Sequence, residues 1–102
     1  MKLLTKAIET AAKAQYKKGS SFKQKIVAKF FDPCGSWTWY LMNMDPEDGD
    51  YCWGIVDGFA IEAGSFSLSE LQSYKGPLGI GIERDKFFTP IMAEDLWKKL
   101  NK

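Results

Sequence analysis

The 102-residue chain is 45% apolar and 15% aromatic, enough to build one continuous core over residues 1–102 and too short for a second domain. Histidine is absent, which removes Ser-His-Asp and Cys-His catalysis, histidine-bound zinc and the usual general base near neutral pH. The formal net charge of +1 conceals segregation along the chain: residues 1–31 carry eight lysines against Glu9, residues 32–70 carry eight acids and no base, and the remainder is close to balance.

Leu3, Leu4, Ala7, Ile8, Ala11, Ala12 and Tyr16 recur at helical spacing with lysines between them, which predicts an amphipathic helix over about residues 3–17, ended by Gly19-Ser20-Ser21. Lys25 to Phe31 is β-branched and aromatic and reads as a strand closed by Asp32-Pro33-Cys34-Gly35. Ser36 to Met44 is a second strand, apolar on both faces and therefore central. The turn cluster Asp45-Pro46-Glu47-Asp48-Gly49-Asp50 returns the chain into Tyr51 to Val56, completing an antiparallel hairpin. Phe59 to Phe66 is a fourth strand, whose interior Gly64 suggests a bulge or a close backbone contact. Ser67-Leu68-Ser69-Glu70 fits a capping box opening a short helix to about Tyr74. A last strand follows over residues 80–85, and a helix from Ala93 to Leu100 finishes the chain. The fold class is α+β: an antiparallel sheet of about five strands with an N-terminal amphipathic helix, a short helix after the fourth strand and a C-terminal helix.

No stretch approaches roughly 20 consecutive apolar residues. The start Met1-Lys2-Leu3-Leu4-Thr5-Lys6 leads into a polar, lysine-rich segment rather than a secretory apolar region, so the expected compartment is the cytoplasm. Cys34 and Cys52 then read as reduced thiols, standing near opposite ends of the hairpin and beyond bridging distance.

Several patterns suggest chemistry and fall short of its requirements. Glu83 and Asp85 share one face of a strand beside Lys86, yet no acid stands two residues before a lysine as the hairpin nucleases need. Asp45, Glu47, Gly49 and Asp50 hint at a calcium loop, but Val56 occupies the position of the bidentate glutamate. The glycine-rich run Gly76 to Gly81 enters a strand instead of opening a helix, so it lacks the amide cradle of a phosphate site. The expectation is a chain with no catalytic residue, no metal and no cofactor.

Two binding surfaces remain. Lys13, Lys17, Lys18, Lys23 and Lys25 gather in one stretch, and Trp37, Trp39, Tyr40, Tyr51 and Trp53 offer rings, a combination suited to single-stranded nucleic acid. Asp45, Glu47, Asp48, Asp50 and Tyr51 at the hairpin tip offer the opposite sign, suited to a basic protein partner or to local mimicry of a phosphate backbone. The charge segregation is equally consistent with two separate patches and with local neutralisation.

The runs Val27-Ala28-Lys29-Phe30-Phe31, Trp37-Thr38-Trp39-Tyr40, Asp45-Pro46-Glu47-Asp48-Gly49, Gly64-Ser65-Phe66-Ser67-Leu68-Ser69-Glu70-Leu71 and Gly76-Pro77-Leu78-Gly79-Ile80 with Ile82-Glu83-Arg84-Asp85 follow one another in an order that resembles the DUF2958 family. The resemblance covers Ile26 to Phe88, about three-fifths of the chain. It implies small proteins of bacterial plasmids and conjugative elements, living beside genes for transfer and for evasion of host defence, and it brings no active site. The expected function is accordingly a non-catalytic binding protein of a mobile genetic element. It would inhibit a host defence nuclease, of anti-CRISPR or anti-restriction type, by occlusion through the acidic, aromatic tip. The alternative is a nucleic-acid-binding accessory protein using the lysine-rich segment.

Overall fold

The computed structural model describes residues 2–102. Helix α1 is Lys6–Ala14, shorter at both ends than the apolar periodicity suggests. Thr5 sets the start, because its Oγ1 accepts from the Ile8 amide at 3.1 Å and satisfies one of the orphan donors of the first turn. Leu3, upstream of the cap, is fully buried, and the carbonyls of Lys2 and Leu3 receive the Arg84 guanidinium at 3.0 and 2.9 Å. The chain then tightens into a 3-10 turn, Tyr16–Lys18. The Gln15 side chain leads it there, donating to Lys25 O (3.0 Å) and Met42 O (2.7 Å) and accepting from Lys25 N (3.2 Å).

The expected strand over 25–31 is broken in two. Strand β1 (Lys25–Ile26) pairs antiparallel with β7 (Ile91–Met92), a strand not anticipated, while β2 (Ala28–Phe31) belongs to the main sheet. The reason lies in packing: Ile26 and Ala28 have the same parity yet are buried in opposite layers, so the backbone must turn over at Val27. The main sheet adds β3 (Thr38–Met44), β4 (Tyr51–Asp57), β5 (Ile61–Ser67) and β6 (Glu83–Arg84). Its order is β5-β4-β3-β2-β6 with every pairing antiparallel, and β3 is indeed its middle strand. Only Glu83–Arg84 of the expected 80–85 strand pairs.

Both faces of the sheet are covered. On one side Ala28, Phe30, Leu41, Met44 and Cys52 pack under α1 and under α2 (Leu68–Ser73), with Leu3, Leu71 and Ile82. On the other, Ile26, Tyr40, Met42 and Ile55 pack under α3 (Ala93–Leu100), with Trp53, Phe88 and Trp97. Helix α3 matches its expected span.

One irregularity governs the hairpin. Leu41 faces Gly54 and Asn43 faces Trp53, so Met42 is an extra residue in β3, a β-bulge. There the backbones press together: a Cβ on Gly54 would stand 1.8 Å from the Tyr40 carbonyl oxygen. Gly64, the glycine expected to mark a close approach, has open space over it. The contact the sequence suggested is real, but it is one strand away.

Candidate functional site: the hairpin tip and its flanks

The β3–β4 tip is held by its own acids. Asp45 Oδ1 accepts from Glu47 N at 2.9 Å, Asp48 Oδ1 from Asp50 N at 3.1 Å, and the Asp48 carbonyl from Tyr51 N at 3.0 Å. These are the side-chain-to-backbone bonds by which aspartates build turns. Backbone donation from Glu47, then Asp48, and the Tyr16 phenol bond together hold the Asp45 carboxyl below its usual range. Asp45 in turn raises the Tyr16 phenol, first by its charge and then, after burial, by the hydrogen bond.

Asp50 reaches away from the tip to the start of α2. Its carboxylate accepts from Ser67 Oγ at 2.7 Å and from Ser69 N at 2.6 Å, and these bonds lower its pKa, the Ser67 contact most. Ser67 Oγ also accepts from Glu70 N at 3.2 Å, the first half of the capping box. The second anionic acceptor at this helix start is Asp50, where the sequence pointed to Glu70.

The five expected tip residues thus divide. Asp45 and Asp50 are partly buried and hold the structure, whereas Glu47, Asp48 and Tyr51 are exposed. Asp48, Asp50, Tyr51, Phe66, Ser67 and Glu70 come together around a concavity of about 350 Å³, acidic with two aromatic rings. Phe66, Ser67 and Glu70 were missed by sequence reasoning. The signal that finds them is strand register, since pairing Tyr51 with Ser67 carries the start of α2 to the tip.

The five lysines sit on α1, the 3-10 turn, the loop after it and β1. Lys13 is engaged by Glu9 at 2.6 Å, one helical turn away. Lys17 and Lys18 are exposed on the 3-10 turn, Lys23 is exposed in the following loop and Lys25 on β1. The Tyr16 phenol and the Asp45 carboxyl lie close enough to shift each other's pKa, so the basic segment meets the acidic tip at one seam. The expected stacking rings are dispersed too. Tyr40 is buried, Trp37 packs edge-on to Phe59 (5.1 Å) and lies 6.0 Å from Trp39, and Tyr51 and Trp53 flank the tip.

A groove of about 620 Å³ opens at the other end of the sheet and is lined by Lys29, Trp37, Glu83, Asp85, Lys86 and Phe87 among others. Asp85 is occupied there, lying 3.8 Å from Lys29 Nζ and accepting from Phe87 N at 2.9 Å. Among the described residues, no three His, Cys, Asp or Glu side chains gather as metal ligands would. Among the same residues, no helix is long and apolar enough to cross a membrane.

No curated protein and no solved structure matches the chain. The model of one family, described as a protein of unknown function (DUF2958), matches residues 2–101 and so takes in the lysine-rich first helix as well as the Ile26 to Phe88 region that carries the resemblance. With essentially its whole length matched, the chain belongs to the DUF2958 family.

Proposed function

We propose that this chain is a non-catalytic binding protein whose acidic, aromatic tip docks on a basic protein surface, and that it serves a mobile genetic element by occluding a host defence nuclease of CRISPR or restriction type in the cytoplasm. The observation that carries this reading is the concavity where Asp48, Asp50 and Glu70 surround the rings of Tyr51 and Phe66. Nucleases that grip nucleic acid expose cationic grooves, and a fixed cluster of carboxylates beside aromatic anchors is complementary to them. Rim charges such as Glu47 and Asp48 would set the speed and salt dependence of encounter, and Tyr51 would supply desolvated contact area. The internal bonds of Asp45 and Asp50 favour this role, because a preorganised tip loses less entropy on docking.

The experiment is capture of partners from host lysate on the immobilised protein, with and without nuclease treatment, followed by cleavage assays with the captured enzyme. The expected result is a nuclease-resistant protein complex whose DNA cleavage falls on adding the chain. The pair Glu47→Gln with Asp48→Asn should slow association, and Tyr51→Ala should raise the dissociation constant by about tenfold or more. Capture that disappears on nuclease treatment, or cleavage that continues at full rate in the complex, would overturn the proposal.

A further inference from the structure

Strand β5 is the outer strand of the main sheet, with β4 on one side and, among the described residues, no strand on the other. At one end of the β4–β5 ladder Leu68 N donates to the facing Asp50 O, and at the other Gly58 N donates to the facing Ala60 O, each at 3.1 Å. Facing pairs in an antiparallel ladder alternate between bonded and unbonded. Cys52 with Phe66, Gly54 with Gly64 and Val56 with Glu62 are therefore the bonded pairs, and Ile61, Ala63 and Ser65 turn their N–H and C=O groups to the free edge. Such an edge is a template for another strand, and proteins ordinarily blunt it with a lysine, a proline or a bulge. Ile61–Ser67 has none of these: its register with β4 is unbroken, Glu62 is its one charge, and Glu62, Ala63 and Ser65 are exposed.

Charge and shape say what fits there. Residues 32–74 hold acids and no base, and Asp48, Asp50 and Glu70 surround the concavity that Ser65 and Ser67 of this edge also line. A second copy would set like charge against like, whereas a cationic segment is complementary. Phe66 packs with the layer of Cys52 under α1 and α2, and by alternation Glu62 and Gly64 share that side. A side chain placed on Gly64 would meet nothing within 4 Å. On this face β5 thus offers a carboxylate, a gap and an aromatic ring beside further carboxylates. An incoming strand can set one cation opposite Glu62, a large apolar side chain over Gly64, and a second cation with its stem along Phe66 and its head toward Asp50 and Glu70.

From this placement we infer that the β5 edge takes up an extended cationic segment of a partner protein as an added strand, antiparallel like the other pairings of the sheet. The pattern it selects is Lys or Arg, any residue, a large apolar residue, any residue, Lys or Arg. This rests on the docking reading of the acidic concavity and adds the backbone that grips the partner.

The probe is a capped peptide, Thr-Lys-Thr-Phe-Thr-Lys-Thr, titrated to millimolar concentration into ¹⁵N-labelled protein. The expected result is a saturable shift of the Ile61, Ala63 and Ser65 amides, whose deuterium exchange slows about tenfold at a peptide concentration ten times Kd. A peptide with Glu for both Lys, or N-methylated at the two Thr beside Phe, should not bind. Methylation at Phe, whose N–H points away from β5, should be tolerated. Ala63→Pro removes an outward donor without touching the β4 ladder and should abolish binding, with circular dichroism checking the fold. Glu62→Lys, which leaves the backbone intact, should weaken binding about fivefold. No saturable change at the three amides, or binding indifferent to the Thr methyl groups or to the charge reversal, would overturn the inference. So would protection of those amides that grows with protein concentration alone, which assigns the edge to a second copy. Capture of a host nuclease by Ala63→Pro as efficiently as by the parent would overturn the inference and leave the docking reading standing. Peptide binding by a protein that captures no nuclease would support the inference and overturn that reading.

Discussion

Cys34 and Cys52 carry the same thiol in opposite surroundings. Cys34 is exposed in a turn, whereas Cys52 is fully buried and its pKa is pushed up to about 12, by desolvation first and then by the charges of Asp50 and Asp48. Thiolate is the reactive species, so Cys52 is inert in the folded protein. An aromatic disulfide reagent should therefore modify one thiol in the native state and both in denaturant, as read by released chromophore. Asp50 makes a pH prediction. Its folded pKa is depressed, so its contribution is present above the unfolded value and is lost as pH falls through the folded one. Urea midpoints should decline as pH drops below the ordinary aspartate range, and Asp50→Asn should lower the neutral-pH midpoint while flattening that decline. The two glycines of the β4–β5 ladder offer a sharper contrast. Gly54→Ala forces a methyl into the Tyr40 carbonyl and should cost about 3 kcal/mol or more, whereas Gly64→Ala meets nothing and should be neutral or gain up to about 1 kcal/mol. Denaturant curves of the two variants decide it.

Helix α1 depends on Thr5 and α2 on Ser67, but the two caps differ. Thr5→Ala removes one bond and should cost about 1 kcal/mol. Ser67→Ala also removes the donor to Asp50, so it should loosen the tip as well as the helix, seen as faster amide exchange at Ser69 and Glu70. The sequence shows which elements exist wherever a local pattern suffices. Helix α3 is readable from its period, and β3 and β4 from their aromatic and β-branched runs. It does not show the break at Val27, because what turns the backbone over is the pairing of β1 with β7 some 65 residues away. Nor does it separate Gly54 from Gly64, which differ only in whose backbone lies above them. The tip shows the same division. Its acids are evident in the sequence, but which of them hold the turn and which face solvent depends on Ser67, Ser69 and Tyr16, delivered from other elements.

A sheet covered on both sides has two packing layers that communicate only through the strands between them. Ile26 lies in the layer under α3 and Ile82 in the layer under α1 and α2, and both are buried. Each Ile→Val substitution should cost about 0.5–1.5 kcal/mol. The double variant should sum to within about 0.5 kcal/mol, since sites with no shared partner add. Tryptophan fluorescence and far-UV circular dichroism should report one coincident transition in all three variants, because β3 contributes side chains to both layers and ties them into one cooperative unit.

The inserted Met42 reaches further than its own position. Along a strand each step reverses direction, so one uncounted residue inverts the parity of all that follows until the chain turns back. On β4 the alternation is unbroken, and Asn43 joins Trp53 on the side of α3 while Met44 joins Cys52 under α1 and α2 only because β3 has taken that extra step. Excising Met42 would therefore restore a regular ladder, with Asn43 still opposite Trp53 and Met44 still opposite Cys52, so the end of the hairpin would keep its faces while the layer under α3 lost one buried side chain.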